Sequence, residues 1–192
     1  MGMTMLSGQL LRKGYTIRSG YDWLIASKPV QSWSIIVWNN WNIPKHFILT
    51  WLIMNDGMNF KGKLFKWGCC DDDLCYLCHR EIETTEHLFL ACEYSCRVST
   101  EVESWMGTTF PTLNSLINGN KKHLQWRVLA VVLNAVYYNV WMQRNNARVN
   151  AMILRPEHVA KRIKDMVAKR LKFKLGGNSD QNAIFWMRNI GI

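Results

Sequence analysis

The amino-acid sequence predicts a mainly α fold: a helical domain with a small turn–helix unit inserted in it, followed by a C-terminal helical extension. Three observations carry that expectation. Apolar residues recur at intervals of three and four along successive segments bounded by Pro, Gly and Asn. Strand-like alternation shows at Tyr15-Thr16-Ile17-Arg18, a short lead-in. In mid-chain, Cys75, Cys78, His87 and Cys92 spell C-x2-C-x8-H-x4-C, the spacing of a zinc-binding turn–helix unit.

In chain order, Ser19 is placed to cap a helix over residues 19–26, with Tyr21, Leu24 and Ile25 turned to a core and Pro29 ending it. Ser32 is expected to cap the next helix, which would carry Trp33, Ile36, Val37, Trp38 and Trp41 on one broad side. Asn42-Ile43-Pro44 breaks that helix and starts another, because proline suits the first helical position. Phe47, Ile48, Trp51, Leu52 and Met54 follow at helical intervals. A shorter helix is expected from Phe60 to Trp67, with Gly68 as its stop. Beyond the cysteine motif, residues 94–106 read as helix, Gly107 to Pro111 as a boundary, and residues 121–150 as the longest helix. Trp126, Leu129, Ala130, Leu133, Val136, Tyr137, Val140 and Trp141 fit its 3.6-residue period, and Arg144 and Arg148 lie one and two turns beyond Val140. Pro156 opens the last helix, striped by Val159, Ile163, Met166, Val167 and Leu171. The boundaries that follow are an N-terminal tail at 1–13, a domain at 14–106, and a basic helical extension at 107–192 with a loose C-terminal tail.

A chain of 192 residues with 48% hydrophobic content and ten tryptophans can bury a real core. Its longest apolar run, residues 128–142, is interrupted by Asn134 and Asn139 and falls short of a membrane span. It reads as a buried helix. The first residues hold no apolar signal-peptide core, and six cysteines without a secretory signal favour a reducing, intracellular setting, nucleus or cytoplasm.

Zinc takes four soft or borderline ligands at tetrahedral corners, and a structural site leaves no corner to water. The Cys75/Cys78 pair offers two corners from one tight turn. The other two must come from a separate element, and residues 84–91 read as a short helix with Thr84 as its N-cap. His87 and Cys92 are five apart, about 140° of rotation on an ideal helix, so they cannot share one face of it. His87 is therefore expected inside the helix and Cys92 at its frayed end or just past it. Leu88, Phe89 and Leu90 give the unit more apolar surface than it can bury alone, so it should dock on a larger body. Cys69, Cys70, His79 and Cys96 are spare donors, Cys96 being the strongest substitute for Cys92.

Charge divides sharply along the chain. Residues 1–70 carry a net +6, residues 71–103 a net −7, and the segments 104–154 and 155–192 net +5 and +6. Phosphate attraction must therefore come from the flanks, not from the cysteine segment. On the last helix Lys161, Arg162, Lys164, Lys169, Arg170, Lys172 and Lys174 crowd the side away from the apolar stripe, as a non-specific RNA- or DNA-binding surface would, although a plain solvated face has the same pattern. Trp38, Trp41 and Trp67 are candidates to stack on bases. Catalysis finds no support. The Asp71-Asp72-Asp73 run reads as a solvated loop, no second carboxylate cluster completes a two-metal site, and no Tyr-x-Asp-Asp occurs. The expectation is a chain that is not an enzyme.

The stretch from Gly14 to Met106 resembles the reverse-transcriptase zinc-binding domain of plant non-LTR retrotransposon polyproteins. The resemblance rests on residues 15–24, on Trp38 and Trp41-Asn42-Ile43-Pro44-Lys45, and on residues 51–68. It rests further on Cys75-x2-Cys78 and on Glu83-Thr84-Thr85-Glu86-His87-Leu88-Phe89-Leu90-Ala91-Cys92. Downstream, Trp141-Met142-Gln143-Arg144-Asn145 is similar to a segment often found in such proteins. The resemblance implies that Cys75, Cys78, His87 and Cys92 are ligands of a structural Zn²⁺. It also implies a non-catalytic module lying after a polymerase domain and assisting nucleic-acid engagement, with protein–protein docking or an inert relic as the alternative. The chain departs from the family pattern at Phe60, where a threonine is usual, at Lys63, where arginine is, and at Val98 and Ser99, where an aromatic is common.

Overall fold

The computed structural model of the chain describes Thr16 and residues 29–176. The helix expected over 19–26, the extended lead-in apart from Thr16, and the C-terminal tail lie outside the described residues. The chain divides into two compact units, residues 1–31 and 32–192; the second holds all the elements below.

Seven α-helices and one π-helical turn make up the described part: α1 (Ser34–Val37), α2 (Pro44–Met54), α3 (Lys61–Lys66), the π turn (His87–Ala91), α4 (Glu93–Met106), α5 (Leu113–Ile117), α6 (Leu124–Asn150) and α7 (Pro156–Leu175). Among the described residues the sole strand-like pairing is one antiparallel bridge, Leu74 with Ile82. The architecture is mainly helical, as expected.

Helix α6 is the axle. Helices α2 and α7 pack along it, α4 packs on α7 and on the π turn, and α1 and α5 close one end. Because it is wrapped from several sides, residues 130–137 of α6 are buried without a break. The eight-residue stripe read from its periodicity is thus only part of its buried surface, and the long apolar run over residues 128–142 is the better guide. Asn134 and Asn139 fit this interior because their amides return to the helix's own carbonyls, at Ala130 (2.7 Å) and Ala135 (2.7 Å).

Pro44 opens α2 as expected. Helix α1 does not run to Trp41. The Asn42 amide donates to the carbonyls of Ile36 (2.6 Å) and Val37 (2.9 Å), taking the place of the next turn and ending the helix after four residues. Ser32 does not cap it; Trp33 holds that position without a side-chain bond. Arg170 of α7 then donates to the carbonyls of Asn40, Trp41 and Asn42 (2.7–3.1 Å), pinning the loop. Gly68 ends α3 in the left-handed conformation (φ 69°), with the Cys69 N–H returning to the Leu64 carbonyl at 2.9 Å.

Candidate metal centre

The first half of the centre is a knuckle. The Leu74–Ile82 bridge is flanked by the Cys75 N–H on the Glu81 carbonyl (2.8 Å) and the Glu83 N–H on the Asp73 carbonyl (2.8 Å). Between them the chain reverses, the His79 N–H reaching back to the Cys75 carbonyl (2.9 Å) and His79 itself adopting φ 54° to complete the turn. The Cys75 Sγ receives the Leu77 N–H at 3.5 Å. The turn so formed presents Cys75 and Cys78 to the same side.

The second half solves the five-residue spacing. Thr84 caps the segment, its Oγ1 accepting from the His87 N–H at 3.0 Å, and the Leu88 N–H reaches the Thr84 carbonyl at 2.9 Å as in an α-helix. The helix then widens, and the Cys92 N–H bonds to the His87 carbonyl at 2.7 Å, five residues back. That π turn brings positions i and i+5 nearly into line, which a regular helix could not do. Cys92 lies just past the turn in extended conformation (φ −63°, ψ 128°), where it also stands at the N-cap of α4. The wide turn displaces the Leu88 carbonyl from the ladder, and the buried Ser95 hydroxyl donates to it at 2.6 Å.

Together these two halves gather Cys75, Cys78, His87 and Cys92, whose ligand atoms all lie within 4.8 Å of one another. The Cys75 and Cys92 sulfurs are 4.0 Å apart, and the Cys78 sulfur is 3.3 Å from His87 Nε2. A tetrahedron built on zinc–sulfur bonds of about 2.3 Å has edges of about 3.8 Å, so donor chemistry and spacing both suit Zn²⁺. Cys75 and Cys92 are fully buried, while Cys78 and His87 are half-buried. The two buried sulfurs are hydrogen-bonded to each other. The hydrogen bond with Cys92, and then burial, push the Cys75 thiol up. The same bond lowers Cys92, aided against burial by the Ser95 and Tyr94 N–H groups at the start of α4. A thiolate poised on a helix N-terminus is the form a metal takes.

Of the spare donors, Cys69, Cys70, His79 and Cys96 are not in the cluster. Cys96 is exposed and its sulfur is turned to the Leu90 carbonyl at 3.5 Å. Asp72, in the acidic run, pairs with Lys61, whose ammonium holds its carboxyl below the usual range. Leu88 and Phe89 dock on the body as expected, but Leu90 is 63% exposed.

Sequence reasoning passed over the residue that fastens the knuckle. Glu83 is 0% exposed and Arg144, from α6, is 1% exposed. Arg144 Nη2 donates to Glu83 Oε1 at 2.6 Å and its Nε reaches both carboxylate oxygens at 3.0 and 3.2 Å. The same carboxylate accepts the Lys61 N–H (2.8 Å) and the Tyr76 N–H (3.3 Å), and the Glu83 carbonyl accepts the Gly62 N–H (3.2 Å). Glu83 therefore caps the start of α3, where Phe60 at the N-cap offers no side-chain acceptor. Arg144 also lies over the rings of Tyr76 (4.9 Å) and Trp141 (4.8 Å). A signal was available: Val136, Val140 and Arg144 are four apart, so the arginine continues a buried stripe and needs a buried anion.

The seven basic residues expected to meet nucleic acid all lie on α7. Lys161, Arg162, Lys169 and Lys172 are exposed, and Lys164 and Lys174 are half-buried, Lys164 with its ammonium 5.7 Å from the Trp105 ring centre. Arg170 is turned away from that surface to the loop carbonyls at 40–42. Trp38 and Trp67 are exposed, whereas Trp41 is half-buried beneath Arg127. Among the described residues, no helix is long and apolar enough to cross a membrane.

No curated protein and no solved structure matches the chain. Residues 15–98 match the family described as zinc-binding in reverse transcriptase, and over that stretch the chain is similar to that family.

Proposed function

We propose that the protein is a non-catalytic, zinc-structured accessory module of a retrotransposon-type reverse transcriptase that binds RNA or DNA through its basic helices. Cys75, Cys78, His87 and Cys92 are the four ligands of one Zn²⁺. The observation that supports this reading is the number and closeness of the donors: three thiols and one imidazole within 4.8 Å of one another, as many as a closed tetrahedral site needs. Zinc held in that way supplies folding free energy and leaves no corner for a substrate.

The nucleic-acid surface is the outer face of α7: Lys161, Arg162, Lys164, Lys169, Lys172 and Lys174, without Arg170. Of the two acids on that helix, Glu157 meets Arg97 of α4 at 3.6 Å, which leaves Asp165 among the cations. Filter binding of an RNA and a DNA oligonucleotide across a salt series tests the reading. Affinity should fall steeply with salt and show little sequence dependence. Lys161→Glu combined with Lys169→Glu and Lys172→Glu should weaken it and flatten the salt slope. No binding at low salt overturns the reading.

One observation favours a second reading, docking on a polymerase domain. A groove of about 870 Å³ runs beside the π turn, lined by Ile53, Met54, Phe89, Leu90, Phe110 and Leu113, with Glu86 and Glu103 also on its wall. An apolar segment with basic flanks suits it. Solubility and size-exclusion behaviour of a Leu90→Glu variant separate the two readings, since nucleic-acid affinity should be indifferent to that change.

A further inference from the structure

A smaller cavity of about 280 Å³ lies between the loop after α1 and the start of α6, lined among others by Trp38, Asn39, Trp41, Lys121 and Arg127. Among the described residues no carboxylate lines it. Three of its features point to a ligand. Trp38 is 56% exposed yet held in place, its ring edge-on to Phe47 at 5.3 Å and 64°, so it is a fixed aromatic platform open to solvent. Asn39 has its amide orientation set, because its Oδ1 accepts the Trp41 N–H at 3.0 Å. Its Nδ2 is then a buried donor with no acceptor among the described residues, an arrangement that is costly until something accepts from it. Lys121 and Arg127 stand at the wall, with the Arg127 guanidinium 5.5 Å from the Trp41 ring centre.

The loop that carries these groups is anchored on both sides. The Asn42 amide holds its entry at Ile36 and Val37, and Arg170 holds its far side at Asn40, Trp41 and Asn42. The second anchor comes from α7, so the helix with the basic outer face is joined directly to this loop.

We infer that this cavity is a stacking pocket for one base of a single-stranded nucleic acid. The base lies on Trp38, a ring nitrogen or carbonyl of its edge accepts from Asn39 Nδ2, and Lys121 and Arg127 take the adjoining phosphate. A peptide of apolar residues would leave the donor and both cations unused, and a free phosphate would leave the aromatic platform unused. The inference rests on the nucleic-acid reading above but adds a different set of residues, reached from α7 through the loop.

The test compares a labelled oligouridylate with an abasic sugar–phosphate oligomer of equal length, bound to the full zinc-loaded chain and read by fluorescence anisotropy. Wild type should prefer the base-bearing strand. Trp38→Ala should lose roughly tenfold or more on oligouridylate and almost nothing on the abasic strand, and Trp38→Phe, which keeps a stacking ring, should recover most of the loss. Lys169→Glu with Lys172→Glu should weaken both strands alike. If Trp38→Ala binds oligouridylate as wild type does, the pocket is refuted while the α7 reading stands. If neither oligomer binds wild type at low salt, both are refuted.

Discussion

Replacing Glu83 by Gln removes one negative charge and almost no volume, and it should cost the protein a large share of its stability. Both carboxylate oxygens face donors only. Oε1 takes the Lys61 N–H, Arg144 Nη2 and Arg144 Nε, and Oε2 takes the Tyr76 N–H and Arg144 Nε, at 2.6–3.3 Å. A glutamine must point its NH₂ at one of these sets, so one hydrogen-bonding group is lost and one donor pair is opposed. The larger effect is the stranded guanidinium. Arg144 is 1% exposed, and breaking a buried pair by removing one charge costs about 3–5 kcal/mol, against a total of about 5–15 kcal/mol for an ordinary domain. Urea unfolding in saturating zinc, followed by circular dichroism, should show the midpoint falling at unchanged slope, the shift multiplied by the slope giving that loss.

A double-mutant cycle isolates the pair. Arg144→Gln alone should be comparably damaging, and the two changes together should cost less than their sum by about 2 kcal/mol or more. Additivity within about 0.5 kcal/mol would show that the two charges do not depend on each other, and the account of how the knuckle is fastened would be wrong. The same variant should also release zinc to a chelator more readily, roughly tenfold as for residues that orient metal ligands, because Tyr76, whose N–H Glu83 holds, sits between two of the cysteines.

Cys78→Ser, Cys92→Ser or chelation should raise hydrogen exchange across residues 69–106, with structural zinc worth on the order of 10 kcal/mol; zinc content by elemental analysis is the companion measurement. Gly62→Ala should destabilise by about 1–3 kcal/mol in the same urea assay, since a Cβ there would lie 2.9 Å from the Glu83 carbonyl oxygen and 3.1 Å from Ile82 Cγ2. Ser95→Ala strands the Leu88 carbonyl of the π turn and should cost about 1–3 kcal/mol. His46 is fully buried against Tyr138, and burial, then the charge of Lys45, lower its pKa to about 4. The unfolded imidazole takes its proton at its ordinary 6.5, so the unfolded state binds more protons between those values and stability falls as pH falls through that window. Wild type should lose about 1.6 kcal/mol between pH 6.5 and 5 that His46→Phe keeps; equal pH profiles would refute it.

The clustering of Cys75, Cys78, His87 and Cys92 was legible because ligand spacing is a local property, carried by a C-x2-C turn and a capped segment at Thr84. The π turn was legible only as a contradiction: a five-residue spacing that no regular helix satisfies, for a pair that must meet. The Glu83–Arg144 pair was not read, because its partners are 61 residues apart and a lone glutamate among Asp71, Glu81 and Glu86 looks like one more surface acid. Helix lengths were legible where Pro or Gly set an end, as at Pro44, Gly68 and Pro156. They were lost at α1, where the stop signal is a side-chain amide six residues on. Arg170 looked like its basic neighbours, since nothing in helical periodicity tells a solvated cation from one that caps a distant loop.

The knuckle is too small to stand alone. It has one bridge, Leu74 to Ile82, and an isolated two-stranded hairpin is marginal in water. Two fastenings bear on it: a metal held by the Cys/His cluster, as proposed above, would tie its turn to the π turn and α4, and Glu83 ties its returning strand to α3 and α6. Each fastening fixes the backbone the other needs, because Tyr76 lies inside the C-x2-C turn and also donates to Glu83. Metal and ion pair should therefore reinforce each other, and the loss of either should lower the worth of the other. That coupling explains how a segment with a net charge of −7 stays docked. Its one buried acid is neutralised by Arg144, and Arg80 meets Glu93 (2.8 Å) at the surface.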